Sequence, residues 1–170
     1  MKYRTIVADP PWTPEGSVRN TYGTRKGYPQ RFYPTMSVGE IAGLVPPPAD
    51  HLWLWALPRH MDWGWNIARA WGYEPLTCLT WCKPVPGVGR FQTNTEHVLL
   101  ARRGDTPFEA MSGTWFQWPR GAHSSKPDAF YDLVERVSPG PYLEMFARRA
   151  RFGWDYWGDE SLGTVELDVA

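Results

Sequence analysis

Short apolar runs alternate with amphipathic stretches along this chain, and that alternation predicts an α/β fold. Runs near 3–8, 52–57, 76–82 and 96–102 have the length and the β-branched and aromatic content of strands. Helical spacing or loops separate them. Ser37 and Glu40 make a capping-box pattern for a short helix that must end before Pro46-Pro47-Pro48. Pro58 opens a second helix with Met61, Trp65, Ala68 and Trp71 on one face and Gly72 at its close. A third helix starts around Pro127, turns Phe130, Leu133, Val134 and Val137 inward, and stops at Ser138-Pro139-Gly140. It feeds one more strand at 142–146.

With 170 residues the chain is expected to be a single domain, 1–170. No internal repeat, long apolar run or leader pattern is visible, so a cytoplasmic protein without a membrane span is expected. Cys78 and Cys82 fall in one predicted strand, where four residues separate them by roughly 13 Å. That is too far for a disulfide, and inert core positions are expected. His51, His60, His97 and His123 show no metal-ligand spacing, so no metal is expected. The loop 84–95 has Gly87, Gly89 and Arg90 but no phosphate-loop spacing. Dinucleotide, P-loop and nucleophile-elbow motifs are absent, which disfavours oxidoreductase, P-loop and hydrolase chemistry. Many of the eleven tryptophans fall in alternating or helical core positions, against a carbohydrate-binding surface.

Formal net charge is zero, so no uniformly basic face attracts nucleic acid at long range. Local distribution differs. From Glu15 to Glu40 no acid intervenes, while Arg19, Arg25, Lys26 and Arg31 are interleaved with Tyr22, Tyr28, Phe32 and Tyr33. That composition suits a mobile lid, 13–35, that grips phosphates, with Arg19, Tyr22, Arg25, Lys26 and Arg31 as its nucleic-acid contacts. An ordinary solvated loop has the same composition.

Chemistry concentrates where the first strand ends, at Asp9-Pro10-Pro11-Trp12. Two consecutive prolines lack backbone donors and hold φ near about −65°, so the strand must stop and the Pro10 carbonyl must turn outward. An acid, a rigid carbonyl and an indole are thereby expected together at a strand's carboxyl end, the edge where open α/β sheets bind ligands. An adenine exocyclic amine is a weak nucleophile because its lone pair is delocalised. The Asp9 carboxylate and the Pro10 carbonyl could each accept one of its N–H groups and aim the lone pair at an electrophilic methyl group, with Trp12 stacked on the base. The same four residues also describe a strand-ending turn in which Asp caps and Trp packs.

Further blocks follow: Phe32-Tyr33-Pro34-Thr35-Met36-Ser37, His51-Leu52-Trp53-Leu54-Trp55, Trp81-Cys82-Lys83-Pro84, Thr95-Glu96-His97, His123-Ser124-Ser125-Lys126-Pro127-Asp128, Tyr142-Leu143-Glu144-Met145-Phe146-Ala147-Arg148 and Trp154-Asp155-Tyr156-Trp157-Gly158-Asp159-Glu160. With Asp9–Trp12, and in this order, they closely resemble the MT-A70 family of N6-adenine methyltransferases. The resemblance implies a Rossmann-like S-adenosylmethionine-dependent methyltransferase sheet, permuted so that the catalytic strand comes first and the cofactor strand last. It implies a catalytic set of Asp9, Pro10, Pro11 and Trp12. It also implies cofactor contacts from Asp9, from Lys126 as the lysine that neutralises the cofactor carboxylate, and from Glu144, Phe146, Arg148, Asp159 and Glu160. Asp159 stands where the family has Asn, keeping an acceptor and losing a donor. Arg149 and Arg151 are either phosphate ligands or solvated tail arginines.

The chain resembles the short bacterial and phage branch, which implies DNA adenine as the acceptor, flipped or presented single-stranded. RNA adenine, or a non-catalytic nucleic-acid-binding subunit that stabilises an active partner, are the alternatives. A planar cytosine or protein amide would need the same hydrogen-bonding logic. A homodimer or a partner subunit completing the target groove stays open, and residues 161–170 are expected to be a tail.

Overall fold

β1 (Thr5–Ala8) ends where Asp9-Pro10-Pro11 removes the donors a ladder needs, and its four residues are buried on both faces. It lies between two parallel neighbours, β2 (His51–Ala56) and β6 (Tyr142–Met145), with Thr5 opposite both His51 and Tyr142. The chain's beginning and its last third are therefore adjacent at the sheet's centre. The computed structural model describes residues 2–13, 35–85, 90–119 and 126–158.

Among the described residues, seven strands form one mixed sheet. Adding β3 (Glu74–Cys82), β4 (Thr95–Arg102), β5 (Trp115–Phe116) and β7 (Trp154–Trp157), the order is β5-β3-β4-β2-β1-β6-β7. Among the described strands only β4 runs against its neighbours, so its first residues lie at the edge where β1, β2, β3, β6 and β7 end. Helices cover both faces, as an α/β Rossmann-like sheet requires. α1 (Val38–Ala42) and α2 (Met61–Ala70) pack with Ile6, Leu52, Leu54 and Leu99 on one side. α3 (Asp128–Val137) packs through Phe130, Leu133 and Val134 against Val7, Trp53 and Trp55 on the other.

The local signals act as expected in α1: Ser37 accepts from the Glu40 N–H, and the Glu40 carboxylate accepts from the Ser37 N–H. α2 begins one turn after Pro58, because residues 58–60 form a 3-10 turn, and the chain leaves it at Gly72 with φ +79. Its enclosed face is Gly64, Ile67, Ala68 and Trp71, whereas Met61 and Trp65 are half-buried. The expected face is thus shifted. α3 buries all four predicted apolar residues and also Tyr131.

Three expectations need correction. The strand predicted at 142–146 ends at Met145, because Phe146 adopts a left-handed φ of 63. It is not the last strand: β7 follows it and takes the sheet's edge, hidden in the sequence because its four residues are too few, and its last two both aromatic, to show an alternation. Cys78 and Cys82 are free, as expected, but half-buried rather than core. No helix among the described residues is long and apolar enough to cross a membrane.

Candidate active site

The parallel register places Asp9 one residue past the end of β1, its N–H donating to the Met145 carbonyl. The following turn is tight. The Trp12 N–H donates to the Pro10 carbonyl at 2.9 Å, and the Met36 N–H donates to the Pro11 carbonyl at 2.8 Å. The Pro10 carbonyl is therefore fixed but not bare, keeping one lone pair for a further donor. Trp12, expected to lie open at the corner, is only 9% exposed. Its ring sits 5.6 Å from His60 and 6.3 Å from Trp63, which are stacked on each other at 4.4 Å.

Lys126, at the residue before the Pro127 cap of α3, reaches back over this corner. Its ammonium lies 3.0 Å from the Asp9 carboxylate and 3.0 Å from that of Glu96, near the start of β4, and 4.2 Å over the Trp55 ring. Lys83, just past β3, pairs with the other oxygen of Glu96. Side-chain exposures of the four groups lie between 13% and 19%, so solvent screens these pairs far less than surface ones. Burial opposes charge on Lys126, but Asp9 and Glu96 outweigh it and raise its pKa.

Glu144, on β6, is 6% exposed and accepts a 2.6 Å hydrogen bond from Tyr131 of α3. Burial, reinforced by Asp9, pushes its pKa up to about 7 despite that bond. The same burial, with the Glu144 charge, drives the Tyr131 hydroxyl well above its ordinary range. Phe146 follows with its left-handed backbone, its ring 5.1 Å from Trp157 of β7 in an edge-to-face contact. Non-glycine residues at such φ cluster at ligand sites. Gly158 completes this close approach: a Cβ there would fall 2.7 Å from the backbone N and O of Ala147.

Among the described residues, the structure thus gathers Asp9, Pro10, Lys126, Glu144 and Phe146 at one sheet edge, with Arg148 half-buried two residues beyond Phe146. Arg149 and Arg151 are both held in ion pairs. Arg149 pairs with Asp128, and Arg151 with Asp132 at 2.7 Å and Glu135 at 2.9 Å, on the outer face of α3. Arg19, Tyr22, Arg25, Lys26, Arg31, Asp159 and Glu160, most of the expected lid 13–35 and the tail 161–170 lie outside the described residues. Sequence reasoning gave no role to Glu96, Lys83 or Tyr131. Glu96 and Lys83 stood in blocks already singled out, and a charged residue at the mouth of an apolar strand was the signal available.

The MT-A70 family model matches residues 3–160. A Type II methyltransferase, M.MunI, from a Mycoplasma species is 32% identical across 94% of this chain and 78% of its own length. An N(6)-adenosine-methyltransferase MT-A70-like protein of Drosophila melanogaster is 31% identical across 86% of this chain, and the human N(6)-adenosine-methyltransferase catalytic subunit METTL3 is 27% identical across 98%. The chain spans only 24% and 30% of the lengths of these two.

Proposed function

The chain belongs to the MT-A70 family, and from that premise we propose that it methylates the N6 amine of adenine in DNA, in the cytoplasm, with S-adenosylmethionine as donor. The observation that carries this reading is the opposed pair at the end of β1: Asp9 and Lys126, oppositely charged, 3.0 Å apart and half-buried. Such a pair fits the zwitterionic amino-acid end of the donor, Lys126 taking its carboxylate and Asp9 its positive side. Glu144, Phe146 and Arg148 stand along the same edge as the remaining wall, with Asp159 and Glu160 assigned to it by resemblance. When bound, the donor supplies a methyl group on a positively charged sulfur.

The chain's own part is positioning and electrostatics. Once Lys126 has moved to the donor's carboxylate, the Asp9 oxygen it held accepts one N–H of the adenine amine, while the other oxygen faces the donor's positive side. The free lone pair of the Pro10 carbonyl accepts the other. The Trp12 N–H holds that carbonyl in place, and the ring of Trp12, packed on His60 and Trp63, fixes the corner from within the core. Only a rim of the indole remains for stacking on the base. Arg19, Tyr22, Arg25, Lys26 and Arg31 are assigned to the nucleic-acid backbone, and the base enters flipped or single-stranded.

DNA is favoured as acceptor because the chain covers most of the length of the Type II methyltransferase and less than a third of the Drosophila and human adenosine methyltransferases. The test is incubation with donor carrying a labelled methyl group and unmethylated DNA or RNA, then digestion to nucleosides and mass spectrometry. Labelled N6-methyldeoxyadenosine supports the reading. The ribose form transfers it to RNA. No labelled nucleoside, with donor binding intact, favours a non-catalytic subunit.

A further inference from the structure

One ammonium, that of Lys126, serves two carboxylates, and the second of them is itself held by another lysine. Asp9, Lys126, Glu96 and Lys83 form an alternating row drawn from the ends of β1 and β3, the start of β4 and the approach to α3. Their formal charges cancel. The reading above uses only the first two, yet a half-buried Glu96–Lys83 pair costs desolvation that an apolar pair would not. Burial resists ionisation of Glu96, but Lys126 and Lys83 outweigh it and hold its carboxyl below the usual range. Both ammonium groups are also confined by indoles, Lys126 over Trp55 at 4.2 Å and Lys83 over Trp81 at 5.0 Å.

Resting on the proposed methyl transfer, the geometry points to Glu96 and Lys83 as positioning residues for the amino-acid end of S-adenosylmethionine. Glu96 anchors Lys126 while that ammonium exchanges the Asp9 carboxylate for the donor's own. The carboxylate so admitted would meet Glu96 as a like charge. Lys83 neutralises Glu96 and removes that repulsion. The two lysines therefore act on one ligand at different ranges: Lys126 by contact, Lys83 through Glu96.

A structural role for Lys83 and this role differ in what a second substitution does. Lys83→Met leaves Glu96 with Lys126 as its only counter-ion among these four groups, so Glu96 both draws Lys126 away and repels the ligand. S-adenosylhomocysteine, the unreactive product, should then bind roughly tenfold more weakly by calorimetry. Lys83→Arg should bind nearly as the unaltered chain does. Lys83→Met combined with Glu96→Gln should recover part of the loss, because the uncompensated charge is gone although the anchor of Lys126 is weakened. A merely structural lysine gives a double variant no tighter than Lys83→Met, and that result, or an unchanged affinity in Lys83→Met itself, overturns the inference. Lys83→Gln provides the same comparison if the methionine variant does not fold. Absence of binding by the unaltered chain overturns the parent reading and this one together, whereas normal binding with an indifferent Lys83→Met overturns this one alone.

Discussion

Tyr131 donates its phenolic proton to the Glu144 carboxylate across 2.6 Å, joining α3 to β6 near the Asp9 corner. Burial, with Asp9 nearby, still pushes Glu144 up to about 7. The folded chain thus favours its protonated form relative to an ordinary carboxyl near 4.5. Stability from this group is complete below about pH 4.5. It is lost as pH rises through 7. Glu144→Gln should flatten that slope, removing roughly 2–3 kcal/mol of pH dependence between pH 5 and 8 in urea titrations. A slope unchanged by the substitution would place the titration elsewhere.

Ser138 is a second buried junction. Its hydroxyl accepts from the Trp53 indole N–H at 2.9 Å and lies 2.9 Å from Nδ1 of His51, whose Nε2 lies 3.0 Å from the Thr106 carbonyl. A carbonyl can only accept, so Nε2 carries the proton and Nδ1 accepts from Ser138. Burial lowers the His51 pKa, which suits this neutral form. Ser138→Ala leaves two buried groups without their partner and should cost about 1–3 kcal/mol in urea unfolding. A loss near zero would mean the pocket rearranges to satisfy both.

How much of this was legible beforehand follows from what a local pattern encodes. Ser37 and Glu40 are three residues apart, and their reciprocal cap is present as the spacing demanded. Asp9-Pro10-Pro11 terminates β1 for reasons internal to those residues. Lys126 was assigned by resemblance to a ligand contact, and the fold places it on Asp9, more than a hundred residues away in sequence. Glu96 and Lys83 had no such help. They meet because β4 runs antiparallel to β3, bringing its start to the edge where β3 ends. β5, two residues long, has too little sequence to show a period. Phe146 was assigned by resemblance alone, and its left-handed φ of 63 was not legible in the sequence.

Salt dependence separates Arg151 from the basic pair Arg25 and Lys26. Arg151 is engaged by Asp132 and Glu135 on α3, so Arg151→Ala should loosen that helix and leave DNA binding unchanged. Arg25→Ala with Lys26→Ala should instead flatten the plot of log affinity against log salt by roughly 2, if each contacts one duplex phosphate. Filter binding across a salt series decides between them. Slopes that change with Arg151 and not with Arg25 and Lys26 would move the phosphate contact to the outer face of α3.

Asp9 gives the sharpest separation of folding from chemistry. Removing one partner of a buried ion pair is ordinarily costly because the other charge is stranded. Here Lys126 keeps Glu96 at 3.0 Å and the face of Trp55, so the charge exposed by Asp9→Ala retains a counter-ion. The variant should therefore fold, with a thermal midpoint close to that of the unaltered chain, and should bind S-adenosylhomocysteine within about tenfold of it. Methyl transfer should fall by about a hundredfold or more, because no acceptor remains opposite the Pro10 carbonyl to draw the amine out of the base plane. Asp9→Asn probes the same point without the change in volume. Its amide keeps one accepting oxygen but brings a donor and no charge, so turnover should stay within about tenfold of Asp9→Ala. Turnover close to the unaltered rate in either variant, measured with saturating donor, would remove Asp9 from the amine and leave it only its partnership with Lys126.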